Sequence, residues 1–211
     1  NRNDMFNPPT ATPTASTTTN PNPSVMVDGY WTAGDAGGSM KSITDKLTFA
    51  TDTTARLPGS NRPSVVHFSG GASSTTKGYS FGGYEGWENP KTDDVYSLTY
   101  ASGSWANIPS GLSESLGRTA AVNSITAGYS AGGGNADPYT YTSYVDKIVF
   151  ASDTPSKNVA QTSANMQWGT GVGNATDGFF CNPKYDANMG TTIAEKLTYS
   201  TDSIAVSTTL F

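Results

Sequence analysis

Hydrophobic positions in this chain alternate with small or polar ones over short stretches, and the stretches return at a fixed interval. Leu47 and Phe49, Leu98 and Tyr100, Ile148 and Phe150, and Leu197 and Tyr199 each stand two residues apart. That is the period of a strand with one face buried. Each stretch then runs into Thr51-Asp52, Ser102-Gly103, Ser152-Asp153 or Thr201-Asp202, residues that turn the chain through local hydrogen bonds or a tolerated positive φ. A hairpin follows, and the more polar segments 53–57, 104–108, 156–160 and 203–207 are predicted as outermost strands, where weak hydrophobicity is tolerated.

The strand before each of these stretches opens on glycine and an aromatic residue. Gly29-Tyr30-Trp31-Thr32-Ala33-Gly34, Gly78-Tyr79-Ser80-Phe81-Gly82-Gly83, Gly128-Tyr129-Ser130-Ala131-Gly132-Gly133 and Gly178-Phe179-Phe180-Cys181 begin at spacings of 49, 50 and 50. Small residues dominate three further segments, 63–68, 118–123 and 169–174, which are expected to be innermost strands crowded around an axis. The first unit lacks such a segment unless residues 24–27 supply it. A period of about fifty residues falls among the blades of β-propellers. The expected fold is all-β: four four-stranded blades, 29–77, 78–127, 128–177 and 178–211, with Leu47, Leu98, Ile148 and Leu197 in equivalent buried places. Residues 1–28, rich in Asn, Pro and Thr, lack the means to build a core and read as an extended arm or linker.

Composition narrows the function. Hydrophobic residues make up 35% of the 211 positions and charged ones 14%, and the net charge is −5. No basic field exists to hold a phosphate backbone, so nucleic acid is not expected as a partner. No run of about 18 apolar residues is present, so no membrane-spanning helix is expected. A single cysteine, Cys181, rules out an internal disulfide.

The second unit carries Gly82-Gly83, then Asp94-Val95-Tyr96, Trp105, Ile108-Pro109 and Gly117-Arg118-Thr119-Ala120-Ala121. In that order these residues resemble the kelch family, and the resemblance extends over residues 29–211 and implies a kelch-like β-propeller. The phrasing Gly-Tyr-x-x-Gly-Gly followed by Asp-Lys-aliphatic-x-aromatic-Ala-Ser/Thr-Asp is also similar to repeats in structural proteins of tailed phages, particularly those infecting cyanobacteria. The second resemblance implies a virion or extracellular location and a fibre, appendage or surface role. It further implies an oligomeric assembly in which residues 1–28 dock on other virion or assembly proteins. A secreted or cell-surface carbohydrate-binding propeller of cellular origin is the alternative.

Catalytic chemistry finds little to work with. Galactose-oxidase-like propellers need several imidazole and phenolate copper ligands with a cross-linked cysteine, and this chain has only His67 and Cys181. Both read as structural: the histidine within a strand, the cysteine as a small buried hydrophobe beside Phe179 and Phe180. Arg56, Arg62 and Arg118 fall at different repeat phases and are not expected to converge, and Asp52, Asp153 and Asp202 read as turn residues rather than calcium ligands. No enzyme activity, metal or cofactor is expected. The loops between second and third strands carry Tyr84, Trp87, Tyr139, Tyr141 and Tyr185. These are the candidate binding residues, since rigid aromatics with a polar tip suit a glycan or protein surface.

Overall fold

The computed structural model describes residues 28–36, 39–85, 92–134, 140–181, 184–185 and 194–207. Regular structure among them is entirely β, in four antiparallel sheets arranged as a four-bladed β-propeller. The first blade comprises β1 (Asp28–Ala36), β2 (Ser39–Thr48) and β3 (Thr53–Arg56), and the second β4 (Gly70–Ser73), β5 (Lys77–Phe81), β6 (Val95–Thr99) and β7 (Ser104–Ile108). The third holds β8 (Ala120–Asn123), β9 (Ala127–Ala131), β10 (Thr142–Val149) and β11 (Thr154–Gln167), with β14 (Lys184–Tyr185) paired to the outer edge of β11. The fourth holds β12 (Thr170–Gly173), β13 (Asp177–Cys181), β15 (Ala194–Thr198) and β16 (Ser203–Ser207). Three strands of the first blade are described; its expected innermost strand at 24–27, and with it the arm up to residue 27, lies outside the described residues.

Register follows the repeat. Leu47, Leu98, Ile148 and Leu197 face Gly29, Gly78, Gly128 and Gly178 across one ladder and Thr54, Trp105, Pro155 and Ile204 across the other. The last three of the four aliphatics are buried, and Leu47 is half-buried. The turn residues also superpose, with φ of 51° at Asp52, 66° at Gly103, 51° at Asp153 and 50° at Asp202. Asp and Gly recur here because the turn needs a left-handed residue, which they adopt at little cost.

The innermost strand of the second blade is Gly70–Ser73, not 63–68. The Val65-Val66-His67-Phe68 run looks strand-like because it is apolar, but only His67 pairs, in an isolated bridge to Tyr84. Phe68, at φ 58°, then breaks the extended backbone. The outer strand of the third blade is longer than the expected 156–160, continuing to Gln167.

The core lies between blades. Phe81, Val95, Ile108, Leu112 and Ile148 fill the space between the second and third, and Tyr129, Val145, Met166, Phe180 and Leu197 fill that between the third and fourth. At each of the three described seams a second-strand tyrosine stacks on the aromatic that directly follows the third strand of the next blade. Tyr30 lies on Tyr100 (ring centroids 4.6 Å apart), Tyr79 on Phe150 (4.9 Å) and Tyr129 on Tyr199 (5.4 Å). Each stack adds about 0.5–1.5 kcal/mol beyond the area it buries. At two seams the turn aspartate of the next blade completes the contact. Asp153 accepts from the Tyr79 hydroxyl at 2.9 Å and pairs with Lys77, and Asp202 accepts from the Tyr129 hydroxyl at 2.8 Å and pairs with Lys147 at 2.7 Å.

These seams make the fold sensitive to alkali. Burial, and then the negative charge or phenol nearby, pushes Tyr100 and Tyr199 up to about 12. Burial and the bonds donated to Asp153 and Asp202 hold Tyr79 and Tyr129 higher still. A phenol kept protonated by folding contributes stability in full below its unfolded value near 10, and that contribution is lost as pH rises through the folded value. The melting temperature is therefore expected to be level up to about pH 10 and to fall steeply toward pH 12, with the tyrosinate absorbance of these residues rising only as the chain melts. Smooth ionisation of all tyrosines near pH 10 without loss of structure would contradict this.

Candidate functional site

Each described innermost strand is entered through a residue held in the left-handed region. Phe68 (φ 58°), Arg118 (φ 64°) and Trp168 (φ 60°) stand two residues before β4, β8 and β12 and fifty residues apart. The chain must turn sharply there to reach the axis. Glycine would make that turn without strain, whereas a bulky side chain pays about 1–3 kcal/mol for it, and residues held this way cluster at ligand clamps.

Backbone hydrogen bonds link the three across the blades: the Arg118 amide donates to the Phe68 carbonyl at 2.7 Å and the Trp168 amide to the Arg118 carbonyl at 3.1 Å. Their side chains converge. The Phe68 and Trp168 rings meet edge to face at 4.8 Å. The Arg118 guanidinium lies 4.4 Å from the centre of the Trp168 ring, 5.1 Å from Tyr84 and 5.8 Å from Phe68. Arg118 also donates to Gln167 Oε1 at 3.2 Å, while its buried Nε has no partner among the described residues. A cation among aromatic faces is attracted to their negative quadrupoles, and the contact also fixes the guanidinium in place. Phe68 is 42% and Trp168 45% exposed, so two large apolar rings and one fixed cation stand together at the surface.

Beneath this platform lie Tyr84 and His67, both buried, with rings stacked 5.4 Å apart. Gly117 makes room for them, since a Cβ there would come within 2.1 Å of the Tyr84 ring. Of the expected binding aromatics, Tyr84 thus supports the platform from below. Tyr141 is half-buried beside Gly134, and Tyr185 pairs with Met166 on β14. Trp87 and Tyr139 lie outside the described residues.

Reading arginines by repeat phase missed Arg118. The missed signal was position: phenylalanine, arginine and tryptophan differ in type but share one phase. Arg62 is a separate, buried residue, 4.4 Å from the centre of the Tyr96 ring and held below its ordinary value by burial.

Two buried carboxylates brace the blades, Asp146 both within its own blade and toward the segment leaving the second, and Glu195 toward the third. Asp146 accepts from the amides of Ser113 (2.8 Å) and Asn158 (2.7 Å), and Glu195 accepts from the amide of Ser163 (3.0 Å). Half-buried Cys181 sits on β13, its thiol pushed up by burial. A cavity of about 470 Å³ opens between the first and second blades, lined by Tyr30, Trp31, the β4 backbone, Tyr100 and Trp105. Among the described residues that line it, none is charged.

No protein-family model matches the sequence, and no curated protein matches it. Among solved structures the chain is similar to the β-propeller titled "Structure of YjhT", with a TM-score of 0.67 at 12% identity over 80% of this chain. The match takes in 52% of that protein, so this chain spans about half the length of the structure it resembles. At that identity the likeness establishes the fold, and the fold is that of a β-propeller.

Proposed function

We propose that the chain is a non-catalytic interaction protein that binds a surface glycan through the platform of Phe68, Arg118 and Trp168. One observation carries this reading: three strained, phase-equivalent positions hold an arginine and two half-exposed rings where glycine would fold more easily. Sugar C–H faces stack on such rings, and a guanidinium fixed among them recognises hydroxyl or carboxylate oxygens in a planar, directional way. The repeat phrasing supports a place on a phage particle, as a fibre, appendage or surface component mediating attachment or assembly. Residues 1–28 would then serve as the anchor to other virion proteins.

The test is binding of purified protein to an immobilised panel of neutral and acidic glycans, with mass spectrometry of the glycans afterwards. Retention on a subset rich in acidic sugars, with every bound glycan recovered intact, is the expected result. Retention on none, or recovery of cleaved or oxidised sugar, would overturn the reading.

A further inference from the structure

The seams inside the chain repeat a small set of contacts, all running in the same direction around the propeller. A first-strand side chain sits over the second-strand glycine of the next blade: a Cβ on Gly128 would come within 2.7 Å of Ala72, and one on Gly178 within 2.6 Å of Val122. A second-strand aromatic stacks on the aromatic that directly follows the next blade's third strand. A lysine reaches the next blade's turn aspartate.

Carried one blade further, the same set assigns partners to three groups of the fourth blade. Val172 corresponds to Val122, Phe179 to Tyr129 and Lys196 to Lys147, and their counterparts on a first blade are Gly29, Phe49 and Asp52. In this structure Val172 is 55% exposed, against 4% for Val122. Phe49 is an exposed large hydrophobic. Phe49 and Asp52 have no ring stack, ion pair or hydrogen bond among the described residues. Lys196, lacking a next-blade aspartate, lies 3.2 Å from Asp177 of its own blade, whereas the better buried Lys147 reaches across its seam.

We propose that these two faces meet between molecules: the fourth blade of one copy stacks on the first blade of a second copy, by the contacts that join blades within the chain. The occupant is fixed by complementarity. A first blade needs an aliphatic for Gly29, an aromatic for Phe49 and a cation for Asp52, all at blade spacing, and the fourth blade of this chain presents all three. The two faces differ, so association is head to tail, and the rotation at each seam decides whether it closes into a ring.

The test is sedimentation velocity of the full chain over a range of concentrations, with Asp52→Lys and Lys196→Glu made singly. The parent is expected to associate as concentration rises. Each single change sets like charges against each other and is expected to weaken association by about tenfold or more. Mixing the two variants is expected to restore it, because one seam then joins the native pair and the other the reversed pair. Circular dichroism and melting of each variant control for folding, and Val172→Asp gives an independent block on the same face. A parent that stays monomeric throughout, single variants that associate like the parent, or a mixture that does not recover would overturn the proposal.

Discussion

Trp168→Gly is expected to weaken glycan binding roughly thirtyfold and to leave the melting temperature unchanged or raised. The two effects separate because the side chain and the backbone at this position have opposite preferences. Trp168 sits at φ 60°, where an L-residue is strained and glycine is not. Relief of that strain offsets the packing lost from a ring already 45% exposed. Binding has no such compensation. Removing the ring takes away the stacking surface and also the face against which Arg118 is held, and loss of a central aromatic anchor typically costs about 2 kcal/mol, roughly thirtyfold in affinity. Phe68→Gly should behave the same way, more weakly. If Trp168→Gly instead lowered the melting temperature by several degrees with binding intact, the platform would be a structural device.

The largest loss of stability is expected from Gly171→Val. A Cβ at Gly171 would lie 1.8 Å from the Ala121 carbonyl oxygen and 2.7 Å from Val122 Cγ1. The obstacle is chiefly the backbone of β8, which cannot rotate away as a side chain would, so the third and fourth blades must move apart. Overpacking of this kind costs about 3 kcal/mol, a fall in melting temperature on the order of 10 °C for a chain this size. Thermal melts of the variant beside Gly59→Val, a change where nothing stands within 4 Å but φ is 77°, separate crowding from backbone strain. Equal losses in both would mean that strain alone explains the effect.

Much of the fold is legible in the sequence because a strand repeats its demands along the chain. The Leu47, Leu98, Ile148 and Leu197 series and the turn residues Asp52, Gly103, Asp153 and Asp202 recur by type, so their phase could be read and their places in the ladder follow. The platform escaped for the opposite reason. Phe68, Arg118 and Trp168 share a backbone conformation but not one residue type, and hydrophobic patterning is blind to φ. Around the first of them it misled, since Val65-Val66-His67-Phe68 has the composition of a strand and the geometry of a link. The latches between blades were also hidden: Lys77 reaches Asp153 and Lys147 reaches Asp202 from different strand positions, so no fixed spacing announces them. The aspartates were read as turn formers, and their second role depends on a neighbouring sheet.

Gly103 occupies the turn position held by aspartate in the other three blades. At this turn the second blade therefore offers no carboxylate to the first, and Lys46 pairs with Asp28 of its own sheet. The first junction relies on the Tyr30–Tyr100 stack, the Trp105 indole donating to Thr44 at 3.2 Å and the Gly34 amide donating to the Val66 carbonyl at 2.9 Å. A pull applied between the N-terminal end and the platform, whose residues lead into blades two to four, must cross this junction. Under load the molecule should yield there first, with blade one peeling away while the blades that carry the platform stay folded, so that this weak joint limits the force that reaches them.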